Sequence, residues 1–166
     1  MTTTNSGSAD ETRAHINLVR QRIGEAITNL SARSDAHDAS KLQEPELSGF
    51  EGLRIRLADV QFGTPEYNAA LAEARPVIAH HYAANDHHPE HHEDGVYGMS
   101  LLSVLEMLCD WKAAGERTKN GSMRQSLTVN IPRFKIDDQL ATLLTNTARE
   151  LGWLETEAPQ RPPRRS

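Results

Sequence analysis

Apolar residues recur at helical spacing over most of the chain. Ile16, Val19, Ile23, Ile27 and Leu30 step by three and four, which places them on one face of a helix from about Asp10 to Arg33. The string HDASKL, within 35–42, reads as a short turn or helix start. From Pro45 to Phe62, Leu47, Phe50, Leu53, Ile55, Leu57 and Val60 predict another helix, broken or bent by Gly49 and Gly52. Thr64, Pro65 and Glu66 then form an N-cap, a first-turn proline and a first-turn acid. The helix they open is expected to reach about Ala84, with a kink at Pro76.

Residues 85–97 read as a histidine-rich loop interrupted by Pro89 and Gly95. Met99–Ala114 is the most apolar stretch, with Leu101, Leu102, Val104, Leu105, Met107, Leu108, Cys109 and Trp111 on nearly every side, as in a central buried helix. Asn120-Gly121 marks a turn. Asp137 or Asp138 caps a last helix to about Leu151, whose apolar face carries Leu140, Leu143, Leu144, Thr147 and Leu151. No convincing strand pair or internal repeat is present. The expectation is a single all-α domain over 10–154, with a disordered N-terminus over 1–9 and a flexible Pro/Arg-rich tail over 155–166.

Composition narrows the class. The 166 residues suffice for one domain, and 18 basic against 23 acidic side chains give a net charge of −5. A domain of that length buries roughly 70% of its unfolded-chain surface and needs no disulfide. Cys109 is the lone cysteine, which suits a reducing cytosol and excludes a multi-Cys zinc site. No run of about 18 apolar residues predicts a membrane span, and MTTTNSGSADE lacks the features of a signal peptide. A cytoplasmic location follows, and an acidic chain is a poor general binder of nucleic acid. One statistic is odd: six of the eight histidines lie between positions 80 and 92.

Several polar residues sit where core residues belong. His15 lies beside the first apolar stripe, and His37 and Asp38 are adjacent at a helix start. His80 and His81 end a long helix just before His87, His88, His91 and His92. Asp110 lies inside the most apolar helix with Glu106 one turn earlier. A carboxylate there needs a cation, a donor or a metal, because unpaired burial costs several kcal/mol. Imidazole and carboxylate together suit one or two ions of manganese, iron, cobalt, nickel or zinc. The alternatives are an ordinary packed His15, a solvated histidine loop and exposed lysines. The histidines at 87, 88, 91 and 92 cannot all face inward.

The order His15, His37-Asp38 and Asp110 in an all-α chain resembles the HD-domain superfamily of metal-dependent phosphohydrolases, with its H…HD…D pattern. The string HDASK, then HHYAANDHHPEHH, then EMLCDWKAAGER is similar to a small uncharacterised family of phage and bacterial HD-like proteins, over roughly residues 12–152. That resemblance implies a helical bundle with a metal site between its helices, held by His15, His37, Asp38 and Asp110. His81, with His87 or His88, looks like the extra ligands of the two-metal branch, and whether His80 or His81 takes that place stays open. The Gly-Tyr-Pro signature of cyclic-dinucleotide phosphodiesterases is absent, since GVYG at 95–98 lacks the proline. Nucleoside-monophosphate phosphatases of the superfamily share the HD pair and the size, without such a histidine loop.

The implied activity is hydrolysis of a small phosphate ester, a nucleotide foremost, by a metal-activated water. Asp38 would bridge two ions, Lys41 would meet substrate phosphate, and Glu106 or an unligated His88 would protonate the leaving group. Lys112, Arg117, Arg133 and Lys135 are weaker phosphate candidates. The same ligand pattern resembles the di-iron oxygenases of the superfamily, and a non-catalytic module that binds a nucleotide or a protein is the third reading. Oligomeric state is open, because the apolar helix could be shared with a second subunit.

Overall fold

A computed structural model describes residues 6–61, 63–118 and 121–154. Among them are seven α-helices and no strand, an all-α bundle as expected. They are α1 (Ser6–Ala36), α2 (Glu46–Leu57), α3 (Pro65–Glu73), α4 (Arg75–Ala84), α5 (Leu101–Glu116), α6 (Met123–Arg133) and α7 (Asp138–Glu150). Short 3-10 turns occupy Ala39–Leu42, Pro89–His91 and Gly95–Gly98. None of the described helices is long and apolar enough to cross a membrane.

The first helix is longer than expected. Residues 6–9, read as disordered, are helical, and Thr12 donates to the Ser8 carbonyl while Asp10 pairs with Arg13. Expectations for residues 1–5 and 155–166, and those touching Phe62 and Asn120, lie outside the described residues. Every residue from 7 to 29 is exposed, so the apolar stripe stays uncovered, with Ile23 and Ile27 56% and 58% exposed. Only the last turns of α1 reach the body, against α5.

Two helix breaks differ from the sequence reading. Helix α2 runs unbroken through Gly49 and Gly52. Gly49 is instead a contact point with α4, where an added Cβ would fall 2.5 Å from Val77 Cγ2. The expected long helix to Ala84 divides at Ala74, and Pro76 sits in the first turn of α4, where its missing N–H costs nothing. Thr64 caps α3 as anticipated, its Oγ1 accepting from Tyr67 N at 3.2 Å.

Helix α5 is two-faced rather than apolar all round. Val104, Met107, Leu108 and Trp111 meet Met123 and Leu127 of α6, Leu144 and Ala148 of α7, and Val96 in the main core. Trp111 also stacks on Phe134, ring centres 6.0 Å apart. Leu101 is 77% exposed and Cys109 is exposed. Glu106, Cys109, Asp110 and Ala113, at steps of three and four, form the second face, turned toward α1. Helix α6 was not anticipated, although Ser122 caps it by accepting from Gln125 N.

Candidate metal centre

Four segments converge at the C-terminal end of α1. His37 and Asp38 leave that helix, His81 comes from the last turn of α4, His87 and His88 follow it, and Asp110 comes from α5. Asp38 adopts the left-handed conformation (φ 56°), a backbone state costly for most residues and best tolerated by Gly, Asn and Asp. Its carboxylate Oδ1 lies 3.3 Å from His81 Nε2 and 3.7 Å from His87 Nε2.

Two ligand groups share Asp38. In one, ligand atoms of Asp38, His81, His87 and His88 lie within 4.8 Å of one another. In the other, His37, Asp38 and Asp110 do so. His81 Nε2 is 3.3 Å from Asp38 Oδ1 and 2.9 Å from His88 Nε2. His37 Nε2 stands 3.6 Å from Asp38 Oδ2 and 3.7 Å from Asp110 Oδ1.

The opposite ring nitrogens are held by carboxylates. Glu46, completely buried, accepts from His81 Nδ1 at 2.9 Å, His80 Nδ1 at 2.8 Å and Ser40 Oγ at 2.9 Å. Glu106 Oε1 lies 2.8 Å from His37 Nδ1 and 3.2 Å from His87 Nδ1. An ionised carboxylate only accepts, so the Nδ1 of His37 and of His81 carries the proton and the Nε2 of each presents a lone pair to the centre, and the approach of Glu106 to His87 Nδ1 favours the same tautomer there. Burial works to raise the Glu46 carboxyl, but the hydrogen bonds from His80, Ser40 and His81 outweigh it and hold the group below its usual value.

Two atoms at the middle are left without partners. Asp38 Oδ1 and His87 Nε2 are buried, make no hydrogen bond, and stand 3.7 Å apart. With the His87 proton on Nδ1, two buried electron-rich atoms face one another. That arrangement is unfavourable unless a cation lies between them. The donor set of imidazole nitrogens and carboxylate oxygens fits a divalent transition ion.

The remaining charges are arranged around this group. Lys41 Nζ bonds Asp38 Oδ2 at 2.5 Å. Burial pushes the Asp38 carboxyl upward, and the hydrogen bond and charge of Lys41 override it, leaving the pKa below the ordinary carboxylate value. Burial, then the charges of His87 and His81, take His88 down to about 3, so its ring is neutral and able to ligate. Arg33 spans the outer side: its Nε donates to Glu106 Oε2 at 2.7 Å and its amino groups clasp Asp86, which also accepts from Ser103 Oγ.

Several expectations need correction. His15 is exposed on α1, 22 residues before His37 and thus about 33 Å along the helix, too far to join the group. Glu106 does not suit the role of proton donor, because Arg33, His37 and His87 occupy its two oxygens. His88 does not stand apart as a free acid: its Nε2 lies 2.9 Å from His81 Nε2, within one of the groups that could hold an ion. Asp110 is not deeply buried, its side chain being 30% exposed. His81 rather than His80 points into the centre, while His91 and His92 bind the carbonyls of Tyr82 and Asp86. Lys112 pairs with Glu116 and Arg133 with Glu90. Sequence reasoning missed Glu46, Arg33 and Asp86 altogether.

A cavity of about 510 Å³ opens beside the centre, between α1 and α5, with His37, Glu106 and Asp110 in its wall. Leu151 and Trp153, after α7, also line it. A smaller cavity of about 190 Å³ lies across His37, toward Ala84, Asp86 and His87.

The model of a family of unknown function, DUF5662, matches residues 4–150, and the chain belongs to that family. Comparison with curated proteins and with solved structures found no match.

Proposed function

We propose that this protein is a metal-dependent phosphohydrolase acting on a small phosphate ester, with a nucleotide as the first class to test. The observation that carries the reading is the orphaned pair, Asp38 Oδ1 facing His87 Nε2, inside a ring of imidazoles backed by carboxylates. A divalent ion in such a ring supplies a nucleophilic water at neutral pH and neutralises charge on a phosphoryl oxygen. His81, His87, His88 and Asp38 would hold one ion, and His37, Asp38 and Asp110 a second, with Asp38 common to both. Glu46 and Glu106 fix the tautomers and orientations of the imidazoles. Lys41, hydrogen-bonded to Asp38, is the cation that would meet substrate phosphate. The resemblance to HD-domain phosphohydrolases supports the same chemistry.

The test is phosphate release from a panel of phosphomonoesters, nucleoside monophosphates included, by untagged protein loaded in turn with manganese, cobalt, nickel, iron or zinc. The reading expects turnover that Asp38→Asn abolishes. No release from any ester by protein shown to hold metal would overturn it, as would iron-dependent oxygen uptake with no phosphate release.

A further inference from the structure

The cavity beside His37 and Asp110 has a chemical character of its own. Its surface is mainly apolar: Leu30 of α1, Leu105 and Ala113 of α5, and Leu151 and Trp153 beyond α7 line it, beside Ser34 and Cys109. The cation in its wall is Arg33, whose guanidinium is committed to Glu106 and Asp86. The anions in the wall are Glu106 and Asp110. A second phosphate or a carboxylate on a ligand would therefore meet two carboxylates and no uncommitted arginine. A neutral hydrocarbon or aromatic group would meet leucine and indole. The volume, about 510 Å³, lies within the range that holds a small organic ligand.

We propose that this cavity receives the alcohol portion of the ester, and that this portion is neutral and largely apolar, an aryl or alkyl group. The inference rests on the hydrolytic reading of the neighbouring centre and narrows its substrate class. In the reaction, water forms the new P–O bond and the bond to the alcohol oxygen breaks. One proton of the water ends on that oxygen, giving the free alcohol and inorganic phosphate. His37 and Asp110 belong both to the cavity wall and to a ligand group, so the phosphoryl end would reach the centre while the apolar end stays between α1 and α5. A nucleobase fits less well, because Arg33, His37 and Glu106 are already paired and leave Ser34 and Asp110 to meet its polar edge, and unpaired polar groups are discriminated against strongly. Each methylene buried in such a pocket is worth about fourfold in affinity.

The experiment has a binding arm and a turnover arm. In the first, 1-naphthol is titrated calorimetrically into the full untagged chain, wild type and Ala113→Trp. Ala113 is exposed on the cavity side of α5, so the indole narrows the cavity without entering the main core. Saturable binding, weakened about 10-fold or more by Ala113→Trp, is expected. In the second, 1-naphthyl phosphate is expected to exceed AMP, ATP and glycerol phosphate in kcat/KM by about 10-fold or more, a preference that Ala113→Trp removes. Equal turnover of all four, or a preference for ATP or AMP, with no naphthol binding, would overturn the cavity assignment and leave the hydrolytic reading standing. Naphthol binding that Ala113→Trp weakens, with no ester hydrolysed by metal-loaded protein, would overturn the hydrolytic reading alone and support the apolar ligand.

Discussion

The two faces of α5 support opposite kinds of interior. On one, Met107 and Leu108 are each 1% exposed and contact apolar neighbours from α6 and α7. Nothing there requires direction, and stability follows from area and close packing. On the other, Glu106 and Asp110 join a polar interior in which Glu46, His81 and His87 are nearly or fully buried. Burying such groups costs free energy unless each is paired, and here the pairing is elaborate. Arg33 binds two carboxylates, Glu46 accepts from three donors, and Glu106 backs two imidazoles. The pairing stops at Asp38 Oδ1 and His87 Nε2. A core built for stability has no use for two facing acceptors; a binding centre does.

Substitutions sharpen this contrast. The largest effect on stability is expected for Leu108→Ala in the apolar half, about 2–5 kcal/mol by chemical denaturation. Metal bound per folded chain should not change, and a loss of metal in proportion to stability would erase the distinction between the two halves. Asp38→Asn should do the reverse. Asparagine tolerates the left-handed backbone at 38, so the fold should persist, while affinity for a divalent ion falls by more than about 100-fold. Equilibrium dialysis with cobalt measures that directly. Glu46→Gln removes an orienting carboxylate rather than a ligand, so a drop of about 10- to 100-fold is expected in the same assay. A wild-type affinity would mean that Glu46 is only a packing group. His15→Ala should change neither stability, within about 0.5 kcal/mol, nor metal content.

How far the sequence reached varies with distance along the chain. The all-α fold was legible from three- and four-residue spacing, and the caps at Thr64 and Asp137 were legible as residue types. His37, Asp38 and Asp110 drew attention because a histidine and acids stood beside or among apolar helical positions, whereas His81 with His87 or His88 came from the resemblance to the HD-domain superfamily, which left His80 against His81 open. His15 misled, since order along the chain says nothing of the roughly 33 Å that a straight helix puts between it and His37. Glu46 gave no signal: a glutamate after a proline at a helix start reads as ordinary surface charge, and it is the packing of α4 and of the 39–42 turn against α2 that encloses it. Arg33 and Asp86, 53 residues apart, meet by the same kind of long-range packing. Helix α6 went unread: Ser122 and Gln125 have capping-box spacing, but Pro132 and a weak apolar pattern obscured it.

The most direct test of the centre is metal stoichiometry by mass spectrometry on untagged protein, wild type beside Asp38→Asn and His15→Ala. One or two divalent transition ions per chain, kept in His15→Ala and lost in Asp38→Asn, is the result this account predicts. No bound ion in the wild type after reloading with manganese, cobalt, iron, nickel or zinc would contradict it.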